Sequence, residues 1–329
     1  MREYAVREVS IIVPCYNEEE SIALFYEEAC RVTADIEGYT FTYLFVDDGS
    51  KDRSLAIIKE LSAADDHVKY ISLSRNFGKE AAMFAGLEAA AGEYVAIMDV
   101  DLQDDPALLP RMLHALEEGY DCCGVRRVDR KGEPKIRSIF ARLFYKIMNR
   151  FTEIELADGA RDYRMMTRQM TDEVLRLREK ERFIKGIFGW VGFRYYWLEY
   201  ANIRRAAGET KWSFWKLLKY AVGGMMAFTT APLKMLMWSG GAISIASVIF
   251  MLVKIVKTLV WGIDVPGYAS TVVLISFLGG INLFAIGLVG DYLGRVYTEV
   301  KNRPIYITRE SNLDVIRDRT DITMGRKEC

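Results

Sequence analysis

Two long stretches without a charged residue constrain the fold of this chain more than any other feature of its sequence. Residues 235–253 and 265–290 are uncharged runs of 19 and 26 residues. A helix needs about 20 apolar residues to cross the hydrocarbon core of a bilayer. The runs therefore predict a hairpin of two transmembrane helices, at about 235–256 and 268–290, and the alternative is a pair of helices buried in a soluble core.

The charges that flank this hairpin predict its orientation. Basic residues precede the first run and follow the second, at Lys211, Lys216, Lys219, Lys234, Arg295, Lys301, Arg303 and Arg309. The short connection holds only Lys254, Lys257 and Asp264. Because basic loops favour the cytoplasmic side, we expect a multi-pass protein of the cell (inner or plasma) membrane, with its N-terminal region and C-terminal tail in the cytoplasm.

Composition and the N-terminus exclude two other classes. The net charge of −1, from 44 basic and 45 acidic residues, argues against a nucleic-acid-binding protein. The N-terminus lacks the apolar segment of a cleavable secretion signal, so we expect no such signal.

The first 125 residues alternate between short apolar runs and helical patterns. The predicted strands are 9–13, 41–46, 68–73, 94–98 and 120–125, and the predicted helices are 18–36, 52–64 and 80–91. Ser50 is the predicted cap of the second helix. Strands that alternate with helices at this spacing predict a Rossmann-like α/β fold with a mostly parallel sheet, covered on both faces.

Three polar clusters follow predicted strands. They are Cys15-Tyr16-Asn17-Glu18, Asp47-Asp48-Gly49-Ser50, and the acidic run Asp99-Val100-Asp101-Leu102-Gln103-Asp104-Asp105. Ligands of such sheets bind outside the carboxyl ends of the strands, and carboxylates there suit a hard divalent cation on a phosphate-bearing ligand. The alternative for the acidic run is a turn in which Asp104 or Asp105 caps a helix at Pro106. No dinucleotide-binding or P-loop fingerprint is present.

Several motifs occur in a fixed order along the chain. They are Ile11-Ile12-Val13-Pro14-Cys15-Tyr16-Asn17-Glu18-Glu19, Val46-Asp47-Asp48-Gly49-Ser50-Lys51-Asp52, Leu73-Ser74-Arg75-Asn76-Phe77-Gly78-Lys79-Glu80, Asp99-Val100-Asp101, Asp162-Tyr163-Arg164, Gly208-Glu209-Thr210-Lys211 and Tyr292-Leu293-Gly294-Arg295. Together they resemble the family 2 inverting glycosyltransferases, which have the GT-A fold. Within that family the chain is similar to the polyprenyl-phosphate branch, which includes dolichol-phosphate mannose synthase and bacterial undecaprenyl-phosphate glucosyltransferases.

The resemblance implies a role for individual residues at the donor site. Nucleotide-sugar binding would involve Pro14, Tyr16, Glu18, Asp48, Lys79 and Asp99. Asp99, Asp101 and Gln103 would hold Mg²⁺ or Mn²⁺ on the diphosphate, where the cation neutralises charge on the leaving group. For Tyr16 simple packing, and for Gln103 a helix-capping role, remain alternatives.

A lipid phosphate is already anionic, so its transfer reaction depends on cations that position it more than on a general base. The lipid-phosphate candidates are Arg126, Arg137, Arg205 and Lys211, any of which could instead be a solvated surface residue. The catalytic candidates are Asp101, Arg126 and Asp162, and for Asp162 the alternative is a structural pairing with Arg164.

Residues 211–230 combine aromatic and lysine side chains at helical spacing, which predicts a helix lying in the headgroup layer; an amphipathic core helix is the alternative. Residues 140–151 are a second such candidate. The predicted organisation is a GT-A domain at 1–210, a juxtamembrane helix at 211–232, two transmembrane helices within 233–294 and a tail at 295–329.

The leading hypothesis is transfer of one sugar, with glucose from UDP-glucose as the first choice, to undecaprenyl phosphate in a cell-envelope glycosylation route. UDP-N-acetylglucosamine or GDP-mannose are alternative donors for the same chemistry. From a different class, the chain could be a non-catalytic membrane adaptor that keeps the fold. The oligomeric state, including a homo-oligomer, stays open.

Overall fold

The structure is a computed structural model that describes residues 6–127, 157, 159–180, 182–200, 226, 228–261 and 267–313. The chain divides into two compact units. One is formed by Met1–Lys219 with Pro304–Cys329 and the other by Tyr220–Arg303. The predicted headgroup-layer helices at 140–151 and 211–230 lie almost wholly outside the described residues.

The first unit is built around a mixed sheet of eight strands among the described residues. The strands are β1 Arg7–Cys15, β2 Tyr39–Asp47, β3 Val68–Leu73, β4 Tyr94–Ile97, β5 Cys122–Arg127, β6 Ala160–Thr167, β7 Tyr195–Tyr200 and β8 Thr308–Ser311. Their order in the sheet is β7-β5-β6-β4-β1-β2-β3-β8. β6 and β8 are antiparallel to their neighbours, and the other pairings are parallel. The predicted mostly parallel α/β sheet is confirmed.

Six helices of the first unit cover or flank this sheet within the described residues. They are α1 Ile22–Thr33, α2 Ser54–Ala64, α3 Lys79–Ala89, α4 Leu109–Glu117, α5 Arg168–Arg176 and α6 Ile184–Trp190. β1 is buried from Val9 onward because helices cover both faces of the sheet. α3 approaches β1 closely, since a Cβ on Gly86 would lie 2.3 Å from Cγ2 of Ile12.

The edge strand β8 comes from the far end of the chain. It pairs antiparallel with β3, and the N–H of Ser74 donates to the carbonyl of Ile307 at 2.8 Å. Asn312 accepts from the N–H of Tyr70 at 2.7 Å and donates to Oγ of Ser62 at 2.7 Å. Lys59 pairs with Glu310 at 2.6 Å. The segment thus covers a sheet edge that would otherwise present unpaired backbone groups.

The second unit contains two long helices within its described part. They are α7 Ala231–Trp261, which includes the first uncharged run, and α8 Tyr268–Val300, which includes residues 268–290 of the second. Both helices contain a stretch long and apolar enough to cross a membrane, Ala231–Phe250 and Phe277–Val300. The hydroxyl of Tyr292 donates to the carbonyl of Thr229 at 2.8 Å, which ties α8 to the residues just before α7.

Candidate active site

Four parallel strands end at one edge of the sheet, which we call the carboxyl edge. The strands lie in the order β3-β2-β1-β4, so the direction of chain progression reverses between β1 and β4. Open α/β sheets bind their ligands outside the strand ends at such a reversal. Tyr16 follows β1, Asp48 follows β2, and Asp99 follows β4. The sheet therefore brings the three predicted polar clusters to the same edge.

The loops after β1 and β2 are fastened to each other by hydrogen bonds. The N–H of Asn17 donates to Oγ of Ser50 at 2.9 Å, and Oδ1 of Asn17 accepts from the N–H of Lys51 at 2.8 Å. The N–H of Glu18 donates to Oγ of Ser54 at 2.8 Å. The prediction that Ser50 caps the second helix is wrong, because its hydroxyl serves this loop and the helix begins at Ser54.

The residues predicted to line the nucleotide pocket differ in exposure. Pro14 is buried within β1, whereas Tyr16 is exposed at 36% of its surface. The carboxylate of Glu18 accepts from the hydroxyl of Ser21 at 3.4 Å. Of these residues, Tyr16 presents an open aromatic surface on which a planar base could stack.

Asp48 holds the loop that leads into α3. Its two carboxylate oxygens accept from the N–H groups of Phe77 at 2.7 Å and Gly78 at 2.9 Å. Burial raises the pKa of the Asp48 carboxyl, and these two backbone donors oppose that shift. Gly49 has a φ of +69°, and a Cβ there would lie 2.5 Å from the carbonyl carbon of Arg75. The Asp48-Gly49 turn and the loop before α3 are therefore packed backbone against backbone.

Lys79 links two carboxylates at the carboxyl edge. Its Nζ lies 2.7 Å from Oδ1 and 2.9 Å from Oδ2 of Asp99, and 2.6 Å from Oδ2 of Asp162. Lys185 lies 3.7 Å from the other oxygen of Asp162 and donates to the carbonyl of Ala160 at 2.9 Å. Burial opposes the charged form of Lys79, but Asp162 and Asp99 outweigh it and raise the Lys79 pKa above its ordinary value.

The charge on Asp162 is fixed by the same cluster. Burial opposes ionisation, but Lys79 and then Lys185 outweigh it and hold the Asp162 pKa well below its usual range. Its side chain does not pair with Arg164, whose guanidinium donates to the Asp162 carbonyl at 3.2 Å and lies over the ring of Phe188. Asp162 is therefore ionised and forms ion pairs with Lys79 and Lys185.

The acidic run after β4 divides into two parts. Oδ1 of Asp101 accepts from the N–H of Gln103 at 3.2 Å, which shapes the turn beside Asp99. Asp105 caps the short 3₁₀ helix Pro106–Leu108 by accepting from the N–H of Ala107 at 2.9 Å. The capping alternative is thus confirmed for Asp105, while Asp99 and Asp101 stay partly exposed at the carboxyl edge.

Arg161 neutralises the buried part of this run. Its Nε lies 3.0 Å from Oδ1 of Asp104, whose side chain is fully buried, and its Nη2 donates to Oε1 of Gln103 at 3.2 Å. Arg161 and Lys185 were not predicted as site residues. The position of Arg161 directly before the Asp162 motif was a signal for the first, whereas no pattern in the sequence marks the second.

The predicted acceptor-binding cations are only partly described. Arg126, near the end of β5, donates through Nε to Oε1 of Glu199 at 3.1 Å, across from it on β7. Arg137, Arg205 and Lys211 lie outside the described residues. Within the described residues, Lys79, Lys185 and Arg161 form ion pairs with Asp99, Asp162 or Asp104 at this edge.

Two carboxylates after β4 are candidate ligands of a divalent cation. The described part of the chain holds no group of three or more His, Cys, Asp or Glu side chains placed to bind a metal ion. Mg²⁺ is commonly bound by only one or two carboxylates together with substrate phosphates. Asp99 and Asp101, one residue apart and partly exposed, are a donor set of that kind. They fit a cation whose remaining ligands come from a diphosphate.

Comparisons with known proteins show the family of this chain. The family model described as glycosyl transferase family 2 matches residues 10–175. The chain is 41% identical over 305 residues to CsbB of Bacillus subtilis, with 93% of this chain and 92% of that protein covered. It is 38% identical over 304 residues to the SfII prophage-derived bactoprenol glucosyl transferase of Shigella flexneri, with 92% and 98% covered.

Solved structures are more distant. The glucosyl-3-phosphoglycerate synthase of Mycobacterium tuberculosis, in complex with Mn²⁺, UDP-glucose and phosphoglyceric acid, is 17% identical. It aligns with a TM-score of 0.43 over 66% of this chain and 76% of that one.

Proposed function

Because the chain belongs to glycosyl transferase family 2, we propose that it transfers glucose from UDP-glucose to undecaprenyl phosphate with inversion at the anomeric carbon. The product is a lipid-phosphate-linked glucose for cell-envelope glycosylation. The observation that carries the proposal is the extent of the similarity to bactoprenol glucosyl transferases. It covers 92% of this chain, so it includes the long helices as well as the sheet.

The donor site in this proposal is the carboxyl edge between β1 and β4. Tyr16 stacks on the base, and Asp48 sets the loop that presents Lys79. Asp99 and Asp101 hold Mg²⁺ or Mn²⁺, with Gln103 beside them. When bound, the cation neutralises the charge that develops on the leaving diphosphate.

The acceptor site follows from the charge of the acceptor. A phosphate monoester is anionic near neutral pH, so the attacking oxygen needs no general base and is positioned by cations. Lys185, which shares Asp162 with Lys79, and Arg161, which pairs with Asp104, are described candidates; Arg126, Arg137, Arg205 and Lys211 are the further candidates from the sequence. Asp162 acts here by orienting Lys79 and Lys185.

The two long helices provide access to a membrane-bound acceptor in this proposal. α7 and α8 are long and apolar enough to cross a membrane. Basic residues flank these helices, and such residues favour the cytoplasmic side. In this proposal the sheet unit and the tail therefore face the cytoplasm, where nucleotide sugars are available.

The test uses the full-length protein in detergent with undecaprenyl phosphate, radiolabelled UDP-glucose and Mn²⁺. Asp101→Ala should lower the transfer rate at least 100-fold, because one of two metal-binding carboxylates is lost. Asp105→Ser is the matched control, since serine keeps the helix cap while one carboxylate of the same run is removed. Retained turnover in Asp101→Ala contradicts the metal assignment.

A donor screen with the same acceptor tests the choice of sugar. Transfer from UDP-glucose that exceeds transfer from UDP-N-acetylglucosamine and GDP-mannose supports the proposal. A preference for either of the other donors would change the assigned sugar but not the assigned reaction class. Absence of transfer from every nucleotide sugar in the wild-type protein contradicts the proposal as a whole.

A further inference from the structure

Lys79 places a positive charge between two carboxylates at the carboxyl edge. Its ammonium lies within 2.9 Å of both oxygens of Asp99 and 2.6 Å from Asp162. Asp99 is also one of the two carboxylates that fit a divalent cation. Both oxygens of this carboxylate therefore lie in ion-pair contact with a monovalent cation of the protein itself, and Oδ2 accepts a hydrogen bond from it.

The two partners of Lys79 differ in how they are held. Asp162 has a second lysine, Lys185, 3.7 Å from its other oxygen, and that lysine is anchored on the carbonyl of Ala160. The Asp162 side chain is 18% exposed, against 24% for Asp99 and 40% for Lys79. Lys79 can thus leave Asp99 while it stays paired with Asp162.

We propose that Lys79 is an exchangeable counter-ion of Asp99 that couples metal binding to nucleotide binding. The inference rests on the proposed function, since it takes Asp99 as a metal ligand. When no donor is bound, the ammonium of Lys79 competes with the divalent cation for the carboxylate of Asp99. Two positive charges repel each other when both lie in contact with the same carboxylate.

The donor's diphosphate resolves this competition. It supplies an anionic partner for Lys79, so the ammonium moves from Asp99 to the diphosphate while Asp162 continues to hold it. Asp99 is then available to the divalent cation. Metal and nucleotide therefore bind with positive cooperativity, and each raises the affinity for the other by the same factor.

The test measures Mn²⁺ affinity directly, by electron paramagnetic resonance of free Mn²⁺ in titrations of the full-length protein in detergent. Wild type should bind Mn²⁺ weakly without UDP and at least tenfold more tightly with saturating UDP, within the usual range of coupling. Lys79→Met should bind Mn²⁺ about tenfold more tightly than wild type without UDP, because the competing charge is gone. Its gain on adding UDP should be correspondingly smaller.

Three variants separate this effect from general disturbance. Lys79→Gln should behave as Lys79→Met does, and Lys79→Arg should resemble wild type because it keeps the charge. Lys59→Met is the matched control, since it removes a lysine from an ion pair with Glu310 away from the carboxyl edge and should leave Mn²⁺ binding unchanged. Thermal unfolding confirms that each variant is folded.

Two results overturn the inference. One is an Mn²⁺ affinity of Lys79→Met and Lys79→Gln, without UDP, that is equal to or lower than that of wild type. The other is a wild-type Mn²⁺ affinity that does not change when UDP is added. Failure of the metal assignment itself looks different, because wild type would then bind no Mn²⁺ with or without UDP, and Asp101→Ala would not alter the titration.

Discussion

Replacement of Gly49 by alanine tests whether the turn after β2 positions Lys79. The change adds a Cβ 2.5 Å from the carbonyl carbon of Arg75 and 2.8 Å from the backbone nitrogen of Asn76. Ordinary contact begins near 3.4 Å, so the loop must move by about 1 Å. Asp48 binds the next two N–H groups of that loop, and Lys79 follows them directly. The displacement is therefore expected to reach the ammonium of Lys79.

The magnitude follows from comparison with a second glycine. Gly38 has a φ of +82° with nothing within 4 Å of its added Cβ, so Gly38→Ala costs only the left-handed backbone, about 1 kcal/mol. Gly49→Ala adds an overpacking cost of about 1–3 kcal/mol to the same backbone cost. At about 2–4 °C per kcal/mol for a unit of this size, the unfolding midpoint should fall by about 2–4 °C for Gly38→Ala and roughly 5–15 °C for Gly49→Ala.

Activity separates the two variants further. A misplacement of about 1 Å can cost about 100-fold in rate, so kcat/KM of Gly49→Ala should fall by about that factor. Gly38→Ala should stay within about twofold of wild type, because the change lies in an open turn before β2. The measurements are thermal unfolding by intrinsic fluorescence and initial rates of glucosyl transfer. Equal effects of the two variants on both quantities would refute the positioning argument.

Two further predictions concern stability. Arg161→Met should lower the free energy of unfolding by about 3–5 kcal/mol, because it leaves the fully buried carboxylate of Asp104 without its cation. Asp104→Asn in the same chain should recover most of that loss. An unchanged thermal unfolding midpoint for Arg161→Met would contradict this account. Asn312→Ala should lower the free energy of unfolding by about 1–3 kcal/mol and speed hydrogen exchange of the Tyr70 amide at least tenfold. The control Ser62→Ala keeps that amide hydrogen-bonded to Asn312, so its exchange should stay slow.

The strands up to β5 were predictable because their residues are apolar and their spacing is regular. β6 was not predicted as a strand, since Arg161, Asp162 and Arg164 interrupt its apolar pattern. Its insertion between β5 and β4 is also a long-range pairing that no local pattern encodes. β8 is a polar segment of four residues that becomes a strand only because β3 offers an unpaired edge.

In the site, too, local patterns could be predicted from the sequence and long-range contacts could not. Asp99 and Asp101 could be predicted because they follow a buried strand, and strand ends meet at one edge of a parallel sheet. The proximity of Arg161 and Lys185 depends on the position of β6 and on the helix Ile184–Trp190, which the periodicity did not place. The pairing of Arg126 with Glu199 likewise depends on the β5–β7 register.

The origin of β8 has a consequence for how the protein is made. Residues 308–311 are synthesised after both long helices, although they complete a sheet whose other described strands end at residue 200. At about 5–20 residues per second, the ribosome needs about 5–20 s to reach them. During that interval the β3 edge, Val68–Leu73, is an open template for pairing with another chain. A fragment that ends before the helices would lack β8 and keep this edge open.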